Sequence, residues 1–589
     1  MSVPSLLKKN VTYILLLAIM ALGFFLRSYQ LSTLPPGLTW DEAGLGYNAY
    51  SILKTAKDEH GTFLPITFKS FGDYKPGLYV YLAIPFVAIM GLTEVAVRLP
   101  SVLAGTLAIL GVYLLTTYLF GPKGPTLKGA ATRGKGWTLT GGVLNDGLGS
   151  VANGRSNLIG LLTAFVLAIS PWHIHFSRGA WEVNVCTTFL LFAIYFLLKS
   201  LKNRKYFIPW VLLSFSTVLI YQGAKMLTPL VFLTLFVIYF PQVKKVFTTW
   251  LAPKTHILVL VLSGIFLTIL LVQNLTGPAG NRLARLSIFG YRPEQSGTKF
   301  FHNQPLLTTQ LIASRYLNHF SPEVLFYQGS TITERGNLPK QGMLYITDAF
   351  LLVLGVMALL KFKNPKRSSI KDRGTQSRTL IFSLLFLSPI PASLTLAEFS
   401  TFRALFVVMP LSIIIGFGLH YFLTNFKKIL ILPILGFIIL NTVLTFSIYF
   451  NHSFEGLAAE FNYGHKQAFE QINSLPEADN IIFTDVYGQP YIYYLFYNQF
   501  DPAEYQKLTS YEDQGIDVGK VSRVGNKIEF HQFASTEIFN HPNTWFVGTR
   551  GNIPNDFDIK DKRVEYYSEI SVPNQEPMFR LVKTGNYEK

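Results

Sequence analysis

One cysteine, Cys186, is all the thiol this chain has. That excludes an internal disulfide, a zinc site built on several cysteines and a thiol redox pair. Charge is scarce too: 14% of the 589 residues are charged, where a soluble domain carries about a quarter. Acidic residues are the scarcer sign, 34 against 51 Lys and Arg. What fills the chain instead is apolar, half of it hydrophobic and 15% aromatic. These residues come in runs. Stretches 11–26, 208–220 and 429–450 carry no charge, over lengths that approach or reach a bilayer span of roughly 20 residues. This is the composition of a multi-span membrane protein.

A net charge of +17 would suit a nucleic-acid partner, but its distribution speaks against one. "KSLKNRK" from Lys199, "VKK" with Lys254, "KFKNPKRSSIKDRGTQSR" from Lys361 and "FKK" ending at Lys428 lie between apolar runs. Basic segments so placed mark cytoplasmic loops. The first apolar run follows Lys8 and Lys9 without a small-residue cleavage site, which reads as an uncleaved signal anchor. The Gly-rich stretch 121–157 reads as a flexible cytoplasmic loop. The run 77–91, "GLYVYLAIPFVAIMG", is short for a span. If it crossed, every later basic loop would be inverted; as a juxtamembrane helix it leaves them all inside.

The expected fold class is therefore an all-α polytopic membrane protein with a small C-terminal extracytoplasmic α/β domain. The spans are expected at 11–29, 98–120, 157–172, 181–198, 207–222, 225–240, 256–273, 343–360, 379–396, 403–422 and 429–450, about eleven helices. The N-terminus would be cytoplasmic, in the plasma membrane. Segments 30–97, 274–342 and 451–589 would face outward. The tail after 450 carries "NIIFTD", "KIEFHQF", "TWFVGTR", "VEYYSEI" and "MFRLVKTG", short β-prone runs between polar turns. It is expected to fold as a unit of its own. No internal repeat is found.

Outside the first span stands "LPPGLTWDEAGLGYNAYSIL", with Asp41 and Glu42 adjacent. One reading makes Asp41 the N-cap of a helix beginning at Glu42. The other makes it a general base that takes a proton from an attacking hydroxyl. The two are compatible, because a cap fixes a side chain. The expected topology brings further groups to the same face: Lys75 before Pro76, Arg98 opening the second span, His173, His175, Arg178 and Glu182 around "SPWHIHFSRGAWEVN", and Arg403 in "EFSTFRALF". Cations on the outer boundary run against the positive-inside tendency. Binding a phosphate leaving group accounts for them.

The order Leu-Pro-Pro-Gly-x-x-x-Asp-Glu, Lys-Pro, Val-Arg-Leu-Pro-Ser, Ser-Pro-Trp-His…Ser-Arg and Arg-Ala-Leu resembles the GT-C superfamily of membrane glycosyltransferases. Within it, the chain is similar to the bacterial branch related to protein O-mannosyltransferases and the lipid A aminoarabinose transferase. The resemblance covers residues 1 to about 450. It implies a polyprenyl-phosphate sugar donor, an extracytoplasmic site, and inverting transfer to a protein, glycan or lipid acceptor. It carries the catalytic role to Asp41, the neighbouring acid to Glu42, and contact with the donor phosphate to Lys75 and Arg98. Gly77 stands where many relatives have a second proline, and the tail has no counterpart to carry a role from.

The remaining groups have plainer readings. His173 and His175 diverge on a helix, so scaffold or acceptor contacts suit them better than metal ligation. Arg178 and Arg403 flank spans and are equally candidates for substrate contact. Gln222, in the tight connection "YQGAK", reads as cavity-lining or as part of a capped hairpin. No cofactor motif appears, a divalent metal gets no support, and no nucleotide-phosphate loop is present. The competing class is a transporter or lipid flippase, which would put ionisable groups and broken helices near mid-bilayer.

The topology has a direct test. In a Cys186→Ala background, Thr93→Cys should react with an impermeant thiol reagent on intact cells and Gly141→Cys should not. Labelling at 141 would invert the arrangement.

Overall fold

The computed structural model describes residues 5–71, 73–121, 142–276, 288, 303–329, 338, 341–361, 373–396, 399–475, 477–508, 511–512, 520–572 and 575–587. Each apolar run becomes a helix. The first four are α1 (Ser5–Ser28), α2 (Trp40–Thr55), α3 (Leu78–Met90) and α4 (Glu94–Phe120). Then come α5 (Gly142–Ile169), α6 (Pro171–Arg178), α7 (Glu182–Ser200), α8 (Phe207–Ile220), α9 (Ala224–Ile238), α10 (Phe240–Leu251) and α11 (Lys254–Thr276). Further helices run over Gln304–Asn318, Ile346–Lys361, Arg373–Leu387, Val408–Asn425 and Lys428–His452. Among the described residues, five helices are long and apolar enough to cross a membrane, or up to seven if each of two bent pairs counts as one span. Several of the expected spans, such as α8 and α9, are shorter than an upright crossing requires.

Part of the Gly-rich stretch departs from expectation. Residues 122–141 lie outside the described residues, but α5 begins at Gly142, so 142–157 is helix rather than loop. α3 has 13 residues and rises only about 20 Å, short of the ~30 Å hydrocarbon core.

α4 is the axis of the bundle. Ala108, Ile109, Val112, Leu115 and Leu119 on it are buried in one core with Ile159, Ala164 and Leu167 of α5 and Leu190, Ile194 and Leu197 of α7. Thr93 caps its start by accepting from the Ala96 N–H. α5 turns into α6 through a 55° bend, where the Ser170 hydroxyl accepts from His173 N–H and Pro171 takes the first helical position.

Strands β1 (Thr67–Ser70) and β2 (Asp73–Pro76) form a hairpin before α3. The tail carries β3 (Asn480–Phe483), β4 (Tyr511–Glu512), β5 (Lys520–Val521), β6 (Arg523–Val524), β7 (Ile528–Phe530), β8 (Thr544–Gly548), β9 (Val564–Ser571) and β10 (Pro577–Thr584). β4 and β5 pair with each other, and the other six build one sheet in the order β6-β7-β3-β8-β10-β9. β3 pairs in parallel with both β7 and β8; the other pairs are antiparallel. The period-2 alternation of a strand divides its apolar residues. Ile481, Phe483, Trp545 and Val547 face one core, and Ile482, Phe546 and Val582 face another with Phe533 and Ile538.

The first of these cores is continuous with α2 and α3. The helix Pro490–Tyr497 lies against α2, where the Phe496 ring comes so close to Gly46 that a Cβ there would meet it at 2.6 Å. Tyr493 donates to the Leu38 carbonyl at 3.0 Å and Tyr47 to that of Phe500 at 3.1 Å. Gln506 donates to Ser51, Thr55 and the Asp58 carbonyl.

Glu59 sits fully buried in this joint. It accepts from Asn48 Nδ2 at 3.0 Å and from the Tyr491 hydroxyl at 3.4 Å. Burial pushes its carboxyl up to about 7. Below about 4.5 it is protonated in folded and unfolded chains alike; between 4.5 and 7 only the unfolded chain ionises it. Its contribution to stability therefore falls as pH rises through that window. Half-buried His60 and buried His465, both pushed down to about 4, act in the opposite sense. The difference between wild type and Glu59→Gln isolates the carboxyl. Thermal unfolding in detergent should give a variant that loses less melting temperature than wild type between pH 5 and 8; parallel curves would mean that Glu59 ionises normally.

Candidate functional site

The site begins with a helix start. Thr39 has extended backbone, and its hydroxyl accepts from Glu42 N–H at 3.2 Å. The Glu42 carboxylate accepts from Thr39 N–H at 3.0 Å, completing a capping box. Asp41 is therefore not the cap, and the helix begins at Trp40 rather than Glu42. Thr39 does the capping, which leaves the Asp41 carboxylate for other partners.

Glu42 turns inward. Its Oε1 accepts from Arg98 Nε at 3.0 Å and from Ala180 N–H at 2.9 Å. Arg98 Nη2 lies 3.5 Å from Oε2 and also donates to the Gly37 carbonyl. Arg98 Nη1 donates to the carbonyls of Leu31 and Pro35 at 3.0 and 3.1 Å. All five guanidinium N–H groups are engaged, on a side chain with no exposure. Arg98 was expected to hold the donor phosphate; here its charge is met by Glu42 and it has no donor left for one. Glu42, expected beside the reacting groups, is likewise saturated and buried.

Asp41 turns outward. Its carboxylate pairs with the Lys75 ammonium, the two side chains being 36% and 16% exposed. Lys75 comes from a hairpin of β1 (Thr67–Ser70) and β2 (Asp73–Pro76), opposite Phe68, with its ammonium 5.3 Å from the centre of the Phe71 ring. An acid and a cation thus meet at solvent-reachable depth, one residue from a buried pair that fixes the backbone beneath them.

The other predicted residues divide. His173 is buried, with Nδ1 2.8 Å from Arg27 Nη2. Arginine only donates, so Nδ1 accepts and the ring proton sits on Nε2. His175 packs edge-on against Phe176 and Tyr449. The two histidines diverge, as a helix requires. Arg178 donates to the carbonyls of Leu26 and Leu34 and lies over the Phe450 ring. It ties α6 to the end of α1 and to the segment that follows it. Glu182 is half-buried in the first turn of α7, and Gln222 half-buried in the turn between α8 and α9. Arg403 donates to the Thr395 hydroxyl at 2.6 Å. The neighbouring Phe402 stacks on Trp181, which leads back to Glu42 through Gly179: a Cβ there would meet both residues.

Three contributors escaped the sequence reading. Arg315 donates to the Thr395 carbonyl, so two guanidiniums converge on one threonine. Arg27 is fully buried, donating to carbonyls of Gly23, Leu167 and Ala168. The third is the loop after β3, which reaches the site from the tail. Gly488 has φ of +103°, and a Cβ there would stand 2.8 Å from the ring of Trp40, the neighbour of Asp41. Parallel strands flank β3 on both sides, and such a strand end is where open sheets bind ligands. Among the described residues, no group of three or more His, Cys, Asp or Glu could hold a metal ion.

Comparison with solved structures finds ArnT from Cupriavidus metallidurans. In the apo state it matches with a TM-score of 0.51 and 11% identity, over 98% of each chain. Bound to undecaprenyl phosphate it matches with a TM-score of 0.50 and 10% identity, over 97% of each chain. The chain has the fold of ArnT. A looser likeness, with a TM-score of 0.42 and 13% identity over 85% of this chain and 65% of the other, links it to the oligosaccharyltransferase of Archaeoglobus fulgidus in the apo form. No family model and no curated protein matches the sequence.

The buried pair makes a sharp prediction. Arg98→Ala leaves the Glu42 charge buried with its main partner gone, which costs roughly 3–5 kcal/mol. The melting temperature should drop by many degrees, whereas Lys75→Ala, which leaves behind an Asp41 carboxylate that water can reach, should lower it far less. An Arg98→Ala protein that melts normally and only binds donor more weakly would restore the phosphate role.

Proposed function

We propose that this chain is a membrane glycosyltransferase that moves a sugar from a polyprenyl-phosphate donor to an acceptor hydroxyl at the outer face of the plasma membrane. The observation that carries this is the Asp41–Lys75 pair, mounted on the Glu42–Arg98 frame at one end of a bundle with the ArnT fold. The structure of ArnT bound to undecaprenyl phosphate supports a donor of that class.

In this reading Asp41 is the base. It removes the proton of the acceptor hydroxyl, whose oxygen attacks the anomeric carbon opposite the phosphate and inverts it. The C–O bond to phosphate breaks, and the phosphate leaves with the electron pair. Lys75 serves both partners. Without donor its ammonium rests on Asp41; an arriving phosphate competes for it and frees Asp41 to accept a proton. Arg403 and Arg315, converging on Thr395, are the next cations for the leaving group. Glu42 and Arg98 act as positioning residues. The tail loop from Thr484 to Gln489, against Trp40, stands on the acceptor side. The sugar is a hexose or pentose, and the acceptor hydroxyl belongs to a protein, glycan or lipid. About eleven spans, a cytoplasmic N-terminus and an extracytoplasmic tail complete the proposal.

The transporter reading has less support. It expects broken helices near mid-bilayer. Of the two bends, α5–α6 lies beside Arg27 and Arg178 at the site end. The 104° bend of α9–α10 adjoins Lys244 and Lys245 in the basic connection.

Asp41→Asn should abolish transfer while leaving donor binding and the melting temperature near wild type. The expected loss is roughly 10²–10⁴-fold, the worth of general base catalysis. Lys75→Ala should weaken donor binding and turnover together, since its charge meets the phosphate in both ground and transition states. Single-turnover transfer of a radiolabelled polyprenyl-phosphate sugar to envelope fractions gives the readout. Near-normal turnover by a well-folded Asp41→Asn protein would remove the base from the mechanism.

A further inference from the structure

A groove of about 760 Å³ runs along the helix Arg373–Leu387, facing α9 and the helix Gln304–Asn318. Its lining on that helix falls at Thr375, Arg378, Thr379, Phe382, Ser383, Phe386 and Leu387, the three-four spacing of a single helical face. The chemistry changes along the stripe. A guanidinium and two hydroxyls come first, then two rings and a leucine, with the Ser383 hydroxyl between the rings.

The polar end lies far from the candidate site. The Ser377 hydroxyl donates to the Leu119 carbonyl at 3.1 Å, and Gln376 Nε2 to that of Ile238 at 3.0 Å. These contacts put the start of this helix beside the far end of α4. From Arg98 to Leu119, α4 rises about 30 Å at ~1.5 Å per residue, the thickness of a hydrocarbon core. From Thr375 to Leu387 the groove spans about 18 Å, close to a single leaflet of about 15 Å.

Arg378 donates to the Leu360 carbonyl at 2.6 Å and to the Thr375 hydroxyl at 2.9 Å. Both partners are neutral, and among the described residues they are its only hydrogen-bond partners. Three of its five N–H groups remain for an anion, and a planar guanidinium suits a phosphate.

We propose that this groove binds one anionic phospholipid of the leaflet opposite the active site. Its phosphate would rest on Arg378, its ester carbonyls on the hydroxyls of Thr375 and Thr379, and one acyl chain along Phe382, Phe386 and Leu387. A polyprenyl-phosphate donor in reactive pose does not fit this assignment, because its phosphate belongs at the Lys75 end, about one membrane thickness away. The proposal is independent of the transfer reaction.

The test is native mass spectrometry of the full-length, delipidated protein. The probes are phosphatidylglycerol, phosphatidylcholine with the same acyl chains, and undecaprenyl phosphate. Wild type should retain one phosphatidylglycerol in preference to phosphatidylcholine. Arg378→Gln should lower that affinity at least tenfold. Ser383→Trp, which fills the groove and keeps the arginine, should do the same, and neither should change retention of undecaprenyl phosphate. Equal retention of the two phospholipids overturns the proposal. So does phosphatidylglycerol binding that survives both substitutions in protein of normal melting temperature. Loss of undecaprenyl phosphate alone would assign the groove to the donor chain and overturn it as well.

Discussion

The Glu42–Arg98 ion pair is the constraint on which the site is built. Burying two charges costs several kcal/mol each, and their attraction offsets that only when the remaining donors and acceptors are met. Here they are. Arg98 gathers carbonyls from Leu31, Pro35 and Gly37, and Glu42 gathers N–H groups from Thr39 and Ala180. One pair thereby joins the segment after α1, the start of α2, the first turns of α4 and the turn between α6 and α7. Successive residues of a helix point about 100° apart. With Glu42 fixed inward, Asp41 is turned away from the frame and toward Lys75. Two adjacent carboxylates of the same chemistry thus receive opposite surroundings from their place on one helical turn.

Much of this was legible in the sequence. The apolar runs marked the helices because burial and lipid exposure both demand them. The alternating β-prone runs of the tail became β3, β7, β8, β9 and β10. Thr39 with Glu42 three residues on is a capping-box signature, and it was passed over for the nearer Asp41. The partners of Arg98 are illegible in the sequence for a physical reason. Charge counting treats an arginine at a membrane boundary as a free cation, whereas the partners of this one are mostly main-chain carbonyls, which carry no side-chain signal. Arg178 and Arg27 are used in the same way, as donors to main-chain carbonyls.

Other features could not be read because they depend on shape. Glycines within 142–154 lower helix propensity, but α5 extends backward from an apolar stretch that supplies the nucleus. The shift in composition after residue 450 marks where sheet-forming sequence begins. It does not reveal that one face of that sheet closes against α2 and α3. That contact rests on Gly46, where the missing side chain admits the Phe496 ring, and on hydroxyls of Tyr47, Tyr491 and Tyr493 that reach across the joint. From sequence each looks like an ordinary amphipathic core residue.

The same joint bears on chemistry. The proposed reaction would need its base, Asp41, held at fixed depth and direction while an acceptor approaches. α4 sets the depth, because Arg98 near its start anchors α2 while Leu119 near its other end packs into the core of the bundle. Direction comes from the Glu42 frame on one side and the tail on the other. Gly37, with φ of +76°, packs against the Phe461 carbonyl, Gly488 packs against Trp40, and Gly46 packs against the Phe496 ring, so segments before and after Asp41 are both touched by the C-terminal region. In the proposed reaction an acceptor approaching Asp41 would meet a surface made partly by the tail, while Lys75 arrives on a hairpin of the first loop. Donor and acceptor recognition would then fall to different parts of the chain that meet at one carboxylate. Lys75 would couple the two, because its ammonium could not hold a phosphate without loosening its grip on Asp41.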